Sequence, residues 1–152
     1  MPETEIYSPG LEGVIAGETA ISTITGGLRY RGYSVTELAE KASFDEVAHL
    51  LLHGELPTAS QLKSFQKRLT EARKIPDSLQ GLLKVLPPKT SGMDVLRTGV
   101  SVLAHYDPEV ENNGHDANLR KSEHLLAQIP LIVAAFYRFS KGQEPVSPRS
   151  DL

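Results

Sequence analysis

His49 and His53 stand four residues apart, a spacing that can place two imidazoles of one helix on a single metal ion. The residues between them are Leu50, Leu51 and Leu52, so the glutamate of a zinc-protease HExxH motif is missing, and spacing indicates no third ligand. The expectation is therefore no metal, with both rings at a helix surface or helix end. His53 falls near a C-terminus, where imidazolium charge is favourable. His105, His115 and His124 are scattered. A general base needs an orienting acid and a pocket, and His105 has Asp107 beside it in sequence only. Gly10-Leu11-Glu12-Gly13 and Gly26-Gly27 are glycine-rich, yet neither follows a strand and opens a helix, the context in which N–H groups cradle a phosphate. Arg29 and Arg31 alternate and could grip an anion, but a solvated strand face shows the same pattern. The residue pattern thus assigns no catalytic, cofactor-binding or metal-binding residue.

The elements that would position such residues are mostly helical. The strand signals lie within residues 14–33. Val14-Ile15-Ala16 and Ile21 to Ile24 are β-branched, Leu28 to Arg31 alternates, and Gly26-Gly27 supplies the positive φ of a tight hairpin. The expected arrangement is a β-hairpin arm over 1–33, ending near Gly32, followed by a helical region over 34–152. Ser34 with Glu37, Ser43 with Glu46, and Thr58 with Gln61 each match a capping box, and Asp77 and Ser91 can cap two further helices. Gly54, Pro57, Pro76, Pro87-Pro88 and Pro108 supply the stops. Apolar stripes run through Phe44, Val47, Ala48 and Leu51, and through Leu79, Leu82, Leu83 and Leu86. Gly99, within a stripe from Val95 to Leu103, would let a neighbouring helix approach closely. A long helix is expected from about Asn118 to Lys141, kinked at Pro130. Its second half is apolar all round and should be buried on every side, which calls for more chain or a partner subunit. Residues 109–117 read as a polar and mobile loop. The ending Ser150-Asp151-Leu152 looks like a helix start, as if the chain were cut there.

Composition narrows the functional classes. The chain has 152 residues and a net charge of -3, from 16 Lys and Arg against 19 Asp and Glu. That balance argues against nucleic-acid and membrane-surface partners, which need a basic patch. With no cysteine, disulfides, thiolate metal sites and cysteine nucleophiles are excluded. The acidic start, Met1 to Ile6, has no signal-peptide pattern, and the apolar run from Leu125 to Tyr137 is too short to span a bilayer. A cytoplasmic protein is expected.

Five stretches, in order and covering essentially the whole chain, carry a family resemblance. They are Ser8-Pro-Gly-Leu-Glu-Gly-Val-Ile-Ala-Gly-Glu-Thr-Ala-Ile-Ser22, Leu28-Arg-Tyr-Arg-Gly-Tyr33 and Phe44-Asp-Glu-Val-Ala-His-Leu-Leu-Leu-His-Gly-Glu-Leu-Pro57. Met93-Asp-Val-Leu-Arg-Thr-Gly-Val-Ser-Val-Leu103 and Leu126-Ala-Gln-Ile-Pro-Leu-Ile-Val-Ala-Ala-Phe-Tyr-Arg138 follow. Together they resemble the amino-terminal part of the large domain of citrate synthases, of the short bacterial and archaeal type. The resemblance implies a mainly α fold, a homodimer, and condensation of acetyl-CoA with oxaloacetate to citrate and free CoA. It also implies two catalytic histidines, an aspartate that enolises the thioester methyl, and arginines that clamp oxaloacetate. None of these can be placed on this chain, because its five histidines do not stand in the family's motifs. Glu12 stands where longer eukaryotic relatives carry a CoA-contacting arginine.

The resemblance also leads us to expect a dimer through helices near 92–105 and 118–141. Leu125, Ile129, Ile132, Val133, Phe136 and Gly99 would form the joint. The leading expectation is an inactive fragment that contributes scaffold and dimer interface. The rivals are a natural truncated paralogue acting as a binding or regulatory subunit, a small enzyme using His49, His53 or His105, and a 2-methylcitrate synthase as the parent.

Overall fold

The computed structural model describes residues 10, 13–15 and 17–149. Glu12, Ala16 and the Ser150-Asp151-Leu152 ending lie outside the described residues. The chain divides into two compact units, Met1–Ser43 and Phe44–Leu152.

The first unit contains a three-stranded antiparallel sheet of very short strands, β1 (Ser22–Thr23), β2 (Arg29–Tyr30) and β3 (Tyr33–Ser34), and then α1 (Val35–Lys41). Ser22 pairs with Tyr30, and Tyr30 with Tyr33. Gly26 and Gly27, at φ 74° and 107°, make the first turn as expected. The expected hairpin does not end at Gly32. Arg31 at φ 48° and Gly32 at φ 89° form a second two-residue turn, which brings β3 back onto β2. Val14 and Ile15 form no strand, and Ile15 is 87% exposed. β-branching favours a pleated, half-buried surface, and among the described residues these two find none. Ser34 occupies the N-cap of α1 without a side-chain capping bond, because it also closes the β3 ladder.

The second unit is helical: α2 (Phe44–His53), α3 (Ala59–Ala72), α4 (Asp77–Val85), α5 (Gly92–Ala104) and α6 (His115–Ser140). The Thr58 capping box forms in full, with the Thr58 N–H donating to Gln61 Oε1 at 2.7 Å and the Gln61 N–H to Thr58 Oγ1 at 3.4 Å. Two other expected caps do not form. Pro76 stands at the N-cap of α4 in place of Asp77, which lies inside the first turn, and Ser91 caps α5 by position without a side-chain bond. Gly54, at φ 90°, ends α2. The long helix begins at His115, three residues before the expected start, so the polar loop is shorter than its sequence suggests. Arg120 grips Glu109 through two hydrogen bonds of 2.7 and 2.6 Å, and Lys121 donates to the Val110 and Asn112 carbonyls.

Helix α6 is the spine of this unit, packed by α3, α4 and α5. One apolar cluster joins α4, α5 and the second half of α6 through Leu79, Leu83, Val95, Leu103, Ile132 and Phe136. A second joins α3 to the middle of α6 through Phe65, Leu69, Ala72 and Ala127. Gly99 packs directly against Ile132 of α6, since a Cβ there would stand 3.0 Å from two Ile132 side-chain carbons. The close helix approach expected at Gly99 is thus made within the chain and needs no second copy. Nor is the second half of α6 buried on every side. Ile132 and Phe136 are buried, but Val133 and Tyr137, four residues apart on one face, are 50% and 62% exposed. Among the described residues no helix is long and apolar enough to cross a membrane.

Candidate functional site

The histidine pair and its surroundings form the polar centre of the second unit. α2 places His49 and His53 one turn apart, and their rings stack with centroids 4.3 Å apart. Phe65, from α3, meets both rings edge-on at 5.5 and 6.0 Å. His49 is not the surface histidine expected, being only 5% exposed. Its Nδ1 lies 3.0 Å from the Glu55 carbonyl. A carbonyl only accepts, so Nδ1 carries the proton.

Glu123, from α6, closes the group. Its side chain is 7% exposed and takes three hydrogen bonds. Arg68, from α3, donates Nε to Oε2 at 2.7 Å and Nη2 to Oε1 at 2.8 Å, and the His53 Nε2–H donates to Oε1 at 3.3 Å. The Arg68 guanidinium also lies 5.7 Å from the Phe65 ring centroid. Burial by itself would push the Glu123 carboxyl up. The Arg68 hydrogen bonds, then its charge and the His53 contact, outweigh burial and hold the carboxyl below the usual range. Arg68 is raised in turn, chiefly by its bonds to Glu123.

This arrangement joins three helices through one carboxylate. Both Glu123 oxygens are engaged, so it is poorly placed to take a proton from a substrate. A second ion pair, Glu109 with Arg120, lies at the start of α6, where the Arg120 bonds lower the Glu109 carboxyl. His105 and His115 are not brought into either group, whereas His124 lies near enough to Glu109 to help lower its carboxyl. Arg29 donates to the Gly32 carbonyl at 3.0 Å. Among the described residues no three His, Cys, Asp or Glu side chains come together as a possible metal cage. Sequence reasoning missed Arg68 and Glu123. They stand 55 residues apart, and no local spacing signals a contact made only by tertiary packing.

Comparison with known proteins places this architecture. The family model described as "Citrate synthase, C-terminal domain" matches residues 10–152. The citrate/2-methylcitrate synthase of Bacillus subtilis (strain 168) is 41% identical, over 100% of this chain and 42% of its own length. The 2-methylcitrate synthase of Shewanella oneidensis is also 41% identical, over 97% of this chain and 39% of its own. The crystal structure of citrate synthase from Pyrobaculum aerophilum superposes with a TM-score of 0.87 at 33% identity, covering 97% of this chain and 41% of that one. The chain thus spans about two-fifths of the length of the curated relatives it matches. With a family match over nearly its full length and the fold shared with a solved citrate synthase, this chain belongs to the citrate synthase family.

Proposed function

We propose that this chain is the amino-terminal part of the large domain of an enzyme that condenses acetyl-CoA with oxaloacetate, releasing citrate and CoA. In this reading its helices supply scaffold and subunit interface, and the acid–base groups lie elsewhere in the parent enzyme. The observation that carries it is the match along the whole chain to relatives more than twice as long. The occupied bonds of Glu123, His49 and His53 support it, since the polar centre holds helices together and offers no free acid–base pair. We place the parent enzyme in the cytoplasm, as a homodimer. In that dimer the exposed Val133 and Tyr137 face would be covered by a second copy.

A second reading, a 2-methylcitrate synthase built on propionyl-CoA, is supported by 41% identity to one relative named for both products and to another named for 2-methylcitrate alone. The test is thiol release, followed with a thiol-reactive dye, from the purified chain given oxaloacetate with acetyl-CoA or propionyl-CoA. The signal should stay at background with both. Turnover that requires both substrates would overturn the scaffold reading.

A further inference from the structure

The three asparagines of the chain, Asn112, Asn113 and Asn118, all fall at the start of α6. Two of them are tied by their side chains. Asn112 Oδ1 accepts the Gly114 N–H at 3.0 Å, and Asn118 Nδ2 donates to the Asn113 carbonyl at 3.1 Å. The Asn113 side chain makes no hydrogen bond to a described residue. It is exposed, it stands outside regular structure, and Gly114 follows it.

That pairing has a chemistry of its own. The backbone nitrogen that follows an asparagine can attack its side-chain carbon. Glycine, with no Cβ, neither blocks the approach nor restricts the backbone that must bend to it. The other two asparagines lack this setting. Asn112 is followed by the larger Asn113, and Asn118 lies inside α6, where the Leu119 N–H belongs to the helix ladder.

We propose that Asn113 is a site of spontaneous deamidation and that the Asn112 side chain acts as its brake. The Gly114 nitrogen gives its proton to solvent base and bonds to Asn113 Cγ. The Cγ–Nδ2 bond breaks, the amide leaves as ammonia, and a five-membered imide closes. Water then opens the ring. Opening at Cγ yields aspartate, and opening at the main-chain carbon yields isoaspartate, with one extra carbon in the main chain. The sum is amide plus water to carboxylate plus ammonium, with no redox partner or cofactor. While Asn112 Oδ1 holds the Gly114 N–H, that nitrogen keeps its proton and its orientation. The products act on α6. Gly114 is its N-cap, so each product sets a new negative charge at the positive end of the helix dipole. Isoaspartate also turns the carbonyl that holds Asn118 into a pendant carboxylate.

The test incubates the full chain at mildly alkaline pH, maps its peptides by mass spectrometry and counts isoaspartate by enzymatic methyl transfer. Modification at Asn113, with Asn112 and Asn118 intact, is expected. Asn112→Ala should speed it about fivefold, the net effect of one hydrogen bond, and Gly114→Ala should slow it severalfold. In urea, where no brake is held, wild type and Asn112→Ala should react at one rate, faster than folded wild type. An Asn113 that stays intact, or an Asn112 or Asn118 that reacts as fast, would overturn the site. An unchanged rate in folded Asn112→Ala would overturn the brake. If that variant fails to fold, the comparison of folded and urea-unfolded wild type decides, and equal rates there would overturn the brake.

Discussion

The two halves of α6 are held by different chemistry. In the first, from His115 to Gln128, Glu123 is gripped by Arg68 and His53, and Arg120 by Glu109. In the second, Ile132, Ala135 and Phe136 are buried against α4 and α5 with no ion pair in the cluster. The first half adds to the packing of Ala117 and Ala127 a few directional contacts whose strength depends on protonation. The apolar half is fixed by buried area, which is blind to pH and sensitive to volume. A single helix can thus be loosened at either end by a different perturbation.

The largest effect should come from volume. Ile132 is fully buried, so Ile132→Ala should cost about 2–5 kcal/mol, transfer and cavity terms together. Urea unfolding followed by circular dichroism measures this, and a loss under 1 kcal/mol would show that the apolar half collapses around the gap. The clasp comes next. Glu123→Gln keeps the side-chain shape and loses the charge, at a cost of about 1–2 kcal/mol once screening of the half-exposed Arg68 is allowed for. Its signature is the pH dependence. The Glu123 carboxyl is depressed in the folded chain. Its contribution is therefore complete above the unfolded glutamate value of about 4.3 and is lost as pH falls toward the folded value. Wild type should lose more stability than Glu123→Gln across that acid range, and parallel curves would remove Glu123 from the account.

A smaller effect is expected at Gly99. Gly99→Ala gains about 1 kcal/mol of helix propensity but presses a methyl onto buried Ile132, at about 1–3 kcal/mol. The net should be a small loss, and it should vanish in the Ile132→Ala background, where a double-mutant cycle reads the coupling. Val133→Asp should leave folding of the single chain nearly unchanged, because Val133 is half-exposed. Its effect should appear in sedimentation equilibrium as a weaker dimer, and an unaltered dimer would place the subunit joint elsewhere.

The legible part of this molecule was its punctuation. Thr58 with Gln61, Gly54, and the Gly26-Gly27 turn did what their residue types require, because caps and tight turns are settled within a few residues. The apolar stripes located the helices for the same reason. The sequence reading went astray where a residue's partner is far away. A close helix approach at Gly99 is legible, but its partner Ile132 is not, and nothing local to His49 signals that Phe65 packs edge-on against it. Periodicity reports which face is apolar and is silent on what covers that face.

Pro130, in the middle of α6, carries no N–H, so the Leu126 carbonyl has no intrahelical donor. The consequence is spectroscopic. The ladder of exchangeable amides has a natural gap there, with the polar half on one side and the apolar half on the other. Hydrogen exchange can therefore time the opening of each half separately within one helix. Amides before the gap should lose protection in acid together with the Glu123 contacts, while those after it keep theirs.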